Sequence, residues 1–121
     1  ELIYAVSNKL PYAQVKNSTG AFVVPSLASV TSAAASAKFT ANTDFRVSIT
    51  NAPGKDSYPI SSFTWLLVRP KIKDPSKAKA LHDFLDWMLT PEAQDMAAQL
   101  QYAPLPKEVV TLEQARLKTL K

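Results

Sequence analysis

The run Phe63-Thr64-Trp65-Leu66-Leu67-Val68 constrains this chain more than any other stretch of it. It carries no charge, and every residue but Thr64 is apolar. A strand with one face in water alternates apolar and polar side chains, whereas a strand covered on both faces reads as a nearly continuous apolar run. The pattern therefore predicts a central strand of an α/β sheet. Phe63, Trp65 and Leu67 point to one side, Thr64, Leu66 and Val68 to the other, and both sets are expected to be buried. Pro70 ends the run. Such a strand needs neighbours on both edges, and they must come from earlier in the chain or from another chain.

The rest of the sequence supplies mostly helices. Residues 2–9 form an apolar segment whose type the pattern leaves open, closed by Leu10-Pro11. Asn17-Ser18-Thr19-Gly20 is a turn between Ala13–Lys16 and Ala21–Val24, which together read as a hairpin. Ser26 caps a helix to about Ala37, with Leu27, Val30, Ala34 and Ala37 on its apolar side. Phe45–Ile49 alternates with period two, a half-buried strand. Pro53-Gly54, with Asn51 before it, has a type II turn signature. Asp74-Pro75 opens a helix to Leu89, with Asp at the N-cap and proline at the first helical position. Ala78, Leu81, Phe84, Leu85 and Met88 make its buried stripe, and Trp65 and Trp87 read as core. Thr90-Pro91-Glu92 repeats the device for a helix carrying Ala93, Met96, Ala97 and Leu100. A last helix lies within Pro106–Leu120, opened either by Pro106 or by a Thr111-x-x-Gln114 capping box.

Composition removes whole classes of function. The 121 residues contain no cysteine and a single histidine, which excludes disulfide scaffolds, thiolate metal sites, cysteine nucleophiles and multi-histidine metal centres. Neither glycine lies in a phosphate-loop pattern. No apolar run reaches the ~18 residues that cross a bilayer. Fourteen basic against ten acidic side chains give a net charge of +4. The excess is spread evenly along the chain, unlike the stripe or tail of a nucleic-acid binder. Arg69, Lys71 and Lys73 alternate after the apolar run as a solvated strand end. His82 is the one side chain whose ordinary pKa suits a general base, but it reads as a rim residue. Asp86, four after His82 and three after Asp83, permits a local ion or hydrogen-bond pair and no catalytic arrangement. Tyr12, Tyr58 and Tyr102, each near a proline, read as anchors of turns. No cofactor, metal or catalytic residue is expected, and the chain is not expected to be an enzyme.

A family resemblance rests on particular residues. Pro59-Ile60-x-x-x-Thr64-x-x-Leu67, then Asp74-Pro75, Leu81, Phe84 and Asp86-Trp87, then Gln94, Ala98, Leu100, Tyr102 and Pro104-Leu105-Pro106, closely resemble the C-terminal part of bacterial periplasmic phosphate-binding proteins. These are the substrate-capturing components of ABC-type phosphate importers. Upstream, Tyr4-Ala5-Val6-Ser7, Tyr12–Asn17, Gly20 with Val24-Pro25-Ser26, and Asn51–Gly54 with Asp56–Ile60 agree with the same pattern.

The resemblance implies an α/β fold, the C-terminal portion of a two-lobed periplasmic binding protein (type II), with a mixed sheet and covering helices. Residues 1–57 then resemble the end of the second lobe. Residues 58–121 resemble the return into the first lobe, a strand followed by three helices. The apolar start at Glu1, with no turn before it, reads as a cut inside a domain. The partners implied are inorganic phosphate in the intact protein, a membrane permease, and the upstream part of the same protein or a second copy, with no nucleic acid. The implied location is periplasmic or anchored to the cell envelope. The family's binding arginine and carboxylate, in the resemblance, lie upstream of Glu1. Arg46, Arg69 and Arg116 do not match that arginine. Near the crossover between lobes, Ser57, Ser61 and Ser62 are the cleft-edge candidates for contact with the anion. Two other readings remain open: a binding protein for another oxyanion, and a stand-alone interaction or oligomerisation module.

Overall fold

A computed structural model describes residues 1–40 and 43–120 of the chain. Its elements follow the order α1 (Leu2–Ser7), β1 (Val15–Lys16), β2 (Phe22–Val23), α2 (Leu27–Ala35), α3 (Pro75–Met88), α4 (Pro91–Gln99) and α5 (Lys107–Leu117). The class is mixed α/β, and the described sheet is one antiparallel pair with Val15 opposite Val23 and Lys16 opposite Phe22. Gly20 closes that hairpin at φ 87°, in the left-handed region that glycine enters without steric cost.

The helices start where local chemistry places them. Ser26 accepts the amide hydrogen of Ser29, and the Ser29 hydroxyl accepts that of Ser26, a reciprocal capping box for α2. The Asp74 carboxylate accepts from the amides of Ser76 and Lys77, with Pro75 at the first helical position of α3. Thr90 does the same for α4 through Ala93, with Pro91 next to it. The open segment 2–9 resolves as the six-residue α1. The last helix opens after Pro106, not at Thr111, whose hydroxyl donates back to the Lys107 carbonyl inside α5. Helix α2 ends at Ala35, two residues short of expectation.

Two separate apolar cores follow. The first holds Ala33 and Ala34 of α2 with Ile49 and Ala52, and Ala37 and Phe63 pack against it. Three of its four buried members are alanines, so the aliphatic burial at its centre rests largely on Ile49. The second holds Leu85 and Leu89 with Leu117 of α5, flanked by Val68, Leu81, Met88, Leu105, Val110 and Leu120. Among the described residues no helix is long and apolar enough to cross a membrane.

The sheet expectation is corrected. From Ile60 to Lys73 no backbone–backbone hydrogen bond is made among the described residues, so Phe63–Val68 is not a paired strand. Phe63 is tied into the first core and Val68 into the second. Between them Leu67 is 97% exposed and Trp65 45% exposed, so neither face is covered and Trp65 is not core. The physical reason is that apolar β-formers become a strand only when a partner offers a ladder, and strand preference is a matter of context. Phe45–Ile49 does alternate in burial, ending on buried Ile49, but likewise joins no ladder among the described residues. Phe84 and Trp87 are also exposed on α3, stacked on each other with ring centres 6.0 Å apart.

Candidate functional site

The predicted cleft-edge serines sit on the loop that follows the first core, and that loop is built around one side chain. Asn17 is 6% exposed. Its Nδ2 donates toward three backbone carbonyls, those of Gly54 at 3.1 Å, Lys55 at 2.9 Å and Ser57 at 3.2 Å. Its Oδ1 accepts from the Thr19 amide at 3.0 Å, the Thr19 hydroxyl at 2.8 Å and the Ala21 amide at 3.2 Å. Carbonyls only accept and amides only donate, so this environment allows one orientation of the carboxamide.

Gly54 turns the loop at φ 122°, and a Cβ there would lie 2.8 Å from the Ser57 hydroxyl. Pro53-Gly54 forms a bend, and the hydrogen-bonded turn runs from Gly54 to Ser57 with Lys55 and Asp56 at its centre, so the expected turn is shifted along the chain. Gly54 is needed twice over, for its φ and for space. Downstream, the Tyr58 amide donates to the Ser29 carbonyl at 3.1 Å, and the Asn51 amide donates to the Pro59 carbonyl at 2.7 Å. The loop is thus held by the hairpin turn on one side and by α2 on the other.

Ser57 is 1% exposed, and its hydroxyl donates to the Pro53 carbonyl at 2.9 Å. Ser61 is also buried and donates to the Tyr58 carbonyl at 2.8 Å. Each spends its one proton on the loop's own backbone, so donation to an anion requires that bond to open. Ser62 is exposed and turned to the Phe63 carbonyl at 3.1 Å. The three serines share one loop but not one surface. From the sequence Asn17 reads as a turn residue only; Asn-Ser-Thr-Gly signals its local bonds, and nothing local signals the carbonyls some forty positions away.

The other candidates lie elsewhere. Arg69 and His82 line a cavity of about 250 Å³ with Val68, Ile72, Leu81 and Leu120. The ion pair on that helix joins Lys79 to Asp83 at 2.6 Å, four residues apart, and not His82 to Asp86. Lys71 and Lys73 are solvated, as expected. Arg46 pairs with Asp44, whose carboxyl it holds below the usual range by hydrogen bonding. Of the three tyrosines only Tyr58 is half-buried; Tyr12 and Tyr102 are exposed, and the Tyr102 hydroxyl donates to Glu1 at 2.8 Å. Among the described residues, no group of three His, Asp or Glu side chains could hold a metal ion.

No protein-family model matches the chain. Individual relatives do. The chain is 38% identical over 110 residues to the phosphate-binding protein PstS of Xylella fastidiosa (strain 9a5c), covering 91% of this chain and 30% of that protein. It is 36% identical over 119 residues to the phosphate-binding protein PstS of Pasteurella multocida (strain Pm70), covering 98% and 34%. It is 34% identical over 119 residues to that of Haemophilus influenzae (strain ATCC 51907 / DSM 11121 / KW20 / Rd), covering 98% and 35%. The chain is homologous to PstS-type phosphate-binding proteins and spans about a third of the length of the curated relatives it matches. Those relatives are phosphate-binding proteins by name.

Proposed function

We propose that this chain is the C-terminal portion of an extracytoplasmic solute-binding protein that captures inorganic phosphate and delivers it to the membrane permease of an ABC importer. The observation that carries the reading is homology over nearly the whole chain to proteins named for phosphate binding. In this reading residues 1–57 close the second lobe and residues 58–121 return into the first. Two separate cores, one reaching Phe63 and the other starting at Val68, support a division in this part of the chain. Ser57, Ser61 and Ser62 then border the cleft, and the principal anion ligands belong to the upstream two-thirds of the protein.

A phosphate site between two lobes works because both sides replace the ion's water with fixed donors in a closed space. One side alone does not offset the desolvation of a polyanion. Titration calorimetry at about 0.15 M salt tests this, since loose attraction to a net positive chain is screened there. The longer polypeptide should bind one phosphate per molecule and residues 1–121 alone should show no saturable site. Saturation by another oxyanion in place of phosphate would move the reading to that ligand. Tight one-to-one phosphate binding by residues 1–121 would overturn the upstream placement of the ligands. A second reading, an interaction or oligomerisation module, is favoured by the uncovered apolar run at 65–67, and the oligomeric state of the chain discriminates it.

A further inference from the structure

We infer that Asn17 is a positioning residue for the Pro53–Ser57 loop and, through it, for the Tyr58–Ser62 segment behind it. The functional half of the inference rests on the reading that this segment borders an anion cleft. The loop has little bonding of its own. Within Pro53–Ser57 its internal bonds are the Ser57 amide to the Gly54 carbonyl at 3.2 Å and the Ser57 hydroxyl to the Pro53 carbonyl at 2.9 Å. Residues 53–56 are otherwise exposed. Three of its carbonyls converge instead on the Nδ2 of a residue some forty positions earlier.

That nitrogen has two protons for three acceptors, so at least one proton is shared between two carbonyls. The Oδ1 end is fixed by three donors from Thr19 and Ala21, so the carboxamide cannot rotate to follow a moving loop. Beyond Ser61 no backbone–backbone hydrogen bond is made among the described residues until the start of α3. The direction in which the chain leaves the first core is therefore set by Asn17 together with the Tyr58–Ser29 and Asn51–Pro59 bonds, and further along by Phe63 on the first core and the Trp65 indole, which donates to the Phe45 carbonyl at 2.8 Å. The shortest of the three carbonyl bonds is to Lys55, whose carbonyl is the one a trypsin-like protease must attack to cut after that residue.

The test uses Asn17→Ala and Asn17→Asp in the full polypeptide. Asn17→Asp keeps the acceptor for Thr19 and Ala21 and sets a carboxylate oxygen against the three carbonyls in place of the donor, so it carries the comparison where Asn17→Ala does not fold. Limited tryptic cleavage after Lys55, followed by mass spectrometry against cleavage after Lys118 as the internal reference, should rise about tenfold or more in both. Phosphate affinity by calorimetry, well below the unfolding temperature, should weaken about threefold or more. A merely structural role would lower the unfolding temperature and leave that affinity alone. Unchanged cleavage after Lys55 overturns the inference. Faster cleavage with unchanged phosphate affinity overturns the positioning role. If the unsubstituted protein binds no phosphate, the functional reading fails, and the Lys55 comparison still decides whether Asn17 holds the loop.

Discussion

Glu113 is the carboxylate on α5 that pays for its place. It is half-buried, and burial raises its pKa above the ordinary carboxylate value because the charged form loses solvation. A carboxyl whose folded pKa is raised binds its proton more tightly in the folded chain than in the unfolded one. Its stabilising contribution is complete below the unfolded pKa and is lost as pH rises through the folded one. At neutral pH the ionised group destabilises the fold. Glu113→Gln should therefore raise the denaturant midpoint at about pH 7 and leave it nearly unchanged at about pH 3.5, where the native residue is largely protonated. Equal shifts at both pH values would mean that the side chain acts through packing and not through its charge. In the exposed Asp44–Arg46 pair each group favours the other's charge, lowering Asp44 and raising Arg46, but both sides are open to water and the pair contributes little.

At the scale of elements, the capping box of α2 makes an unequal pair. Ser26 is half-buried and accepts one amide. Ser29 is buried, accepts the Ser26 amide at 3.0 Å and donates to the Val24 carbonyl at 2.9 Å. Ser26→Ala should cost about 1 kcal/mol, the ordinary loss of a cap. Ser29→Ala should cost more, about 1–3 kcal/mol, because it leaves two partners short of a bond in a nearly closed place. Chemical denaturation of the two variants checks the order; a larger loss for Ser26→Ala would reverse it. The same locality explains what was legible beforehand. Asp74-Pro75, Thr90-Pro91 and Ser26 start their helices through bonds spanning two or three residues, so the sequence displays them. The short α1 has no such signal, and the start of α5 was ambiguous because proline and Thr111 offered competing devices. The Phe63–Val68 prediction failed because ladder pairing is non-local, and no run of side chains states where its partner is. The loop of the candidate site divides the same way: the bend at Pro53-Gly54 was plain, while the hold of Asn17 on the loop was not.

The described residues form two small cores joined by an uncovered apolar connection and by a hydrogen bond from the Thr31 hydroxyl of α2 to the Pro104 carbonyl. Trp65, Leu66 and Leu67 are exposed between Phe63 and Val68, and their backbone donors and acceptors meet no protein partner among the described residues. Exposed, extended apolar chain with open hydrogen-bonding groups recruits other strands, and proteins that leave such an edge open commonly blunt it with charge. Arg69, Lys71 and Lys73 put charge at one end of the run, but none falls within it. Residues 1–121 in isolation should therefore associate, with the weight-average mass in sedimentation equilibrium rising with concentration. Leu67→Lys places a charge on the most exposed apolar side chain of the run, 97% open to water. It should shift the chain toward monomer without loss of helical circular dichroism, since Leu67 touches neither core. In a polypeptide of the relatives' length, where the proposed upstream part covers the run, the same substitution should instead destabilise the fold by about 2–5 kcal/mol, the range for spoiling a buried leucine. The two experiments read one residue in two contexts. A strictly monomeric 121-residue chain, together with a longer protein indifferent to Leu67→Lys, would mean that the run is a solvated connection and that neither an upstream segment nor a second copy lies against it.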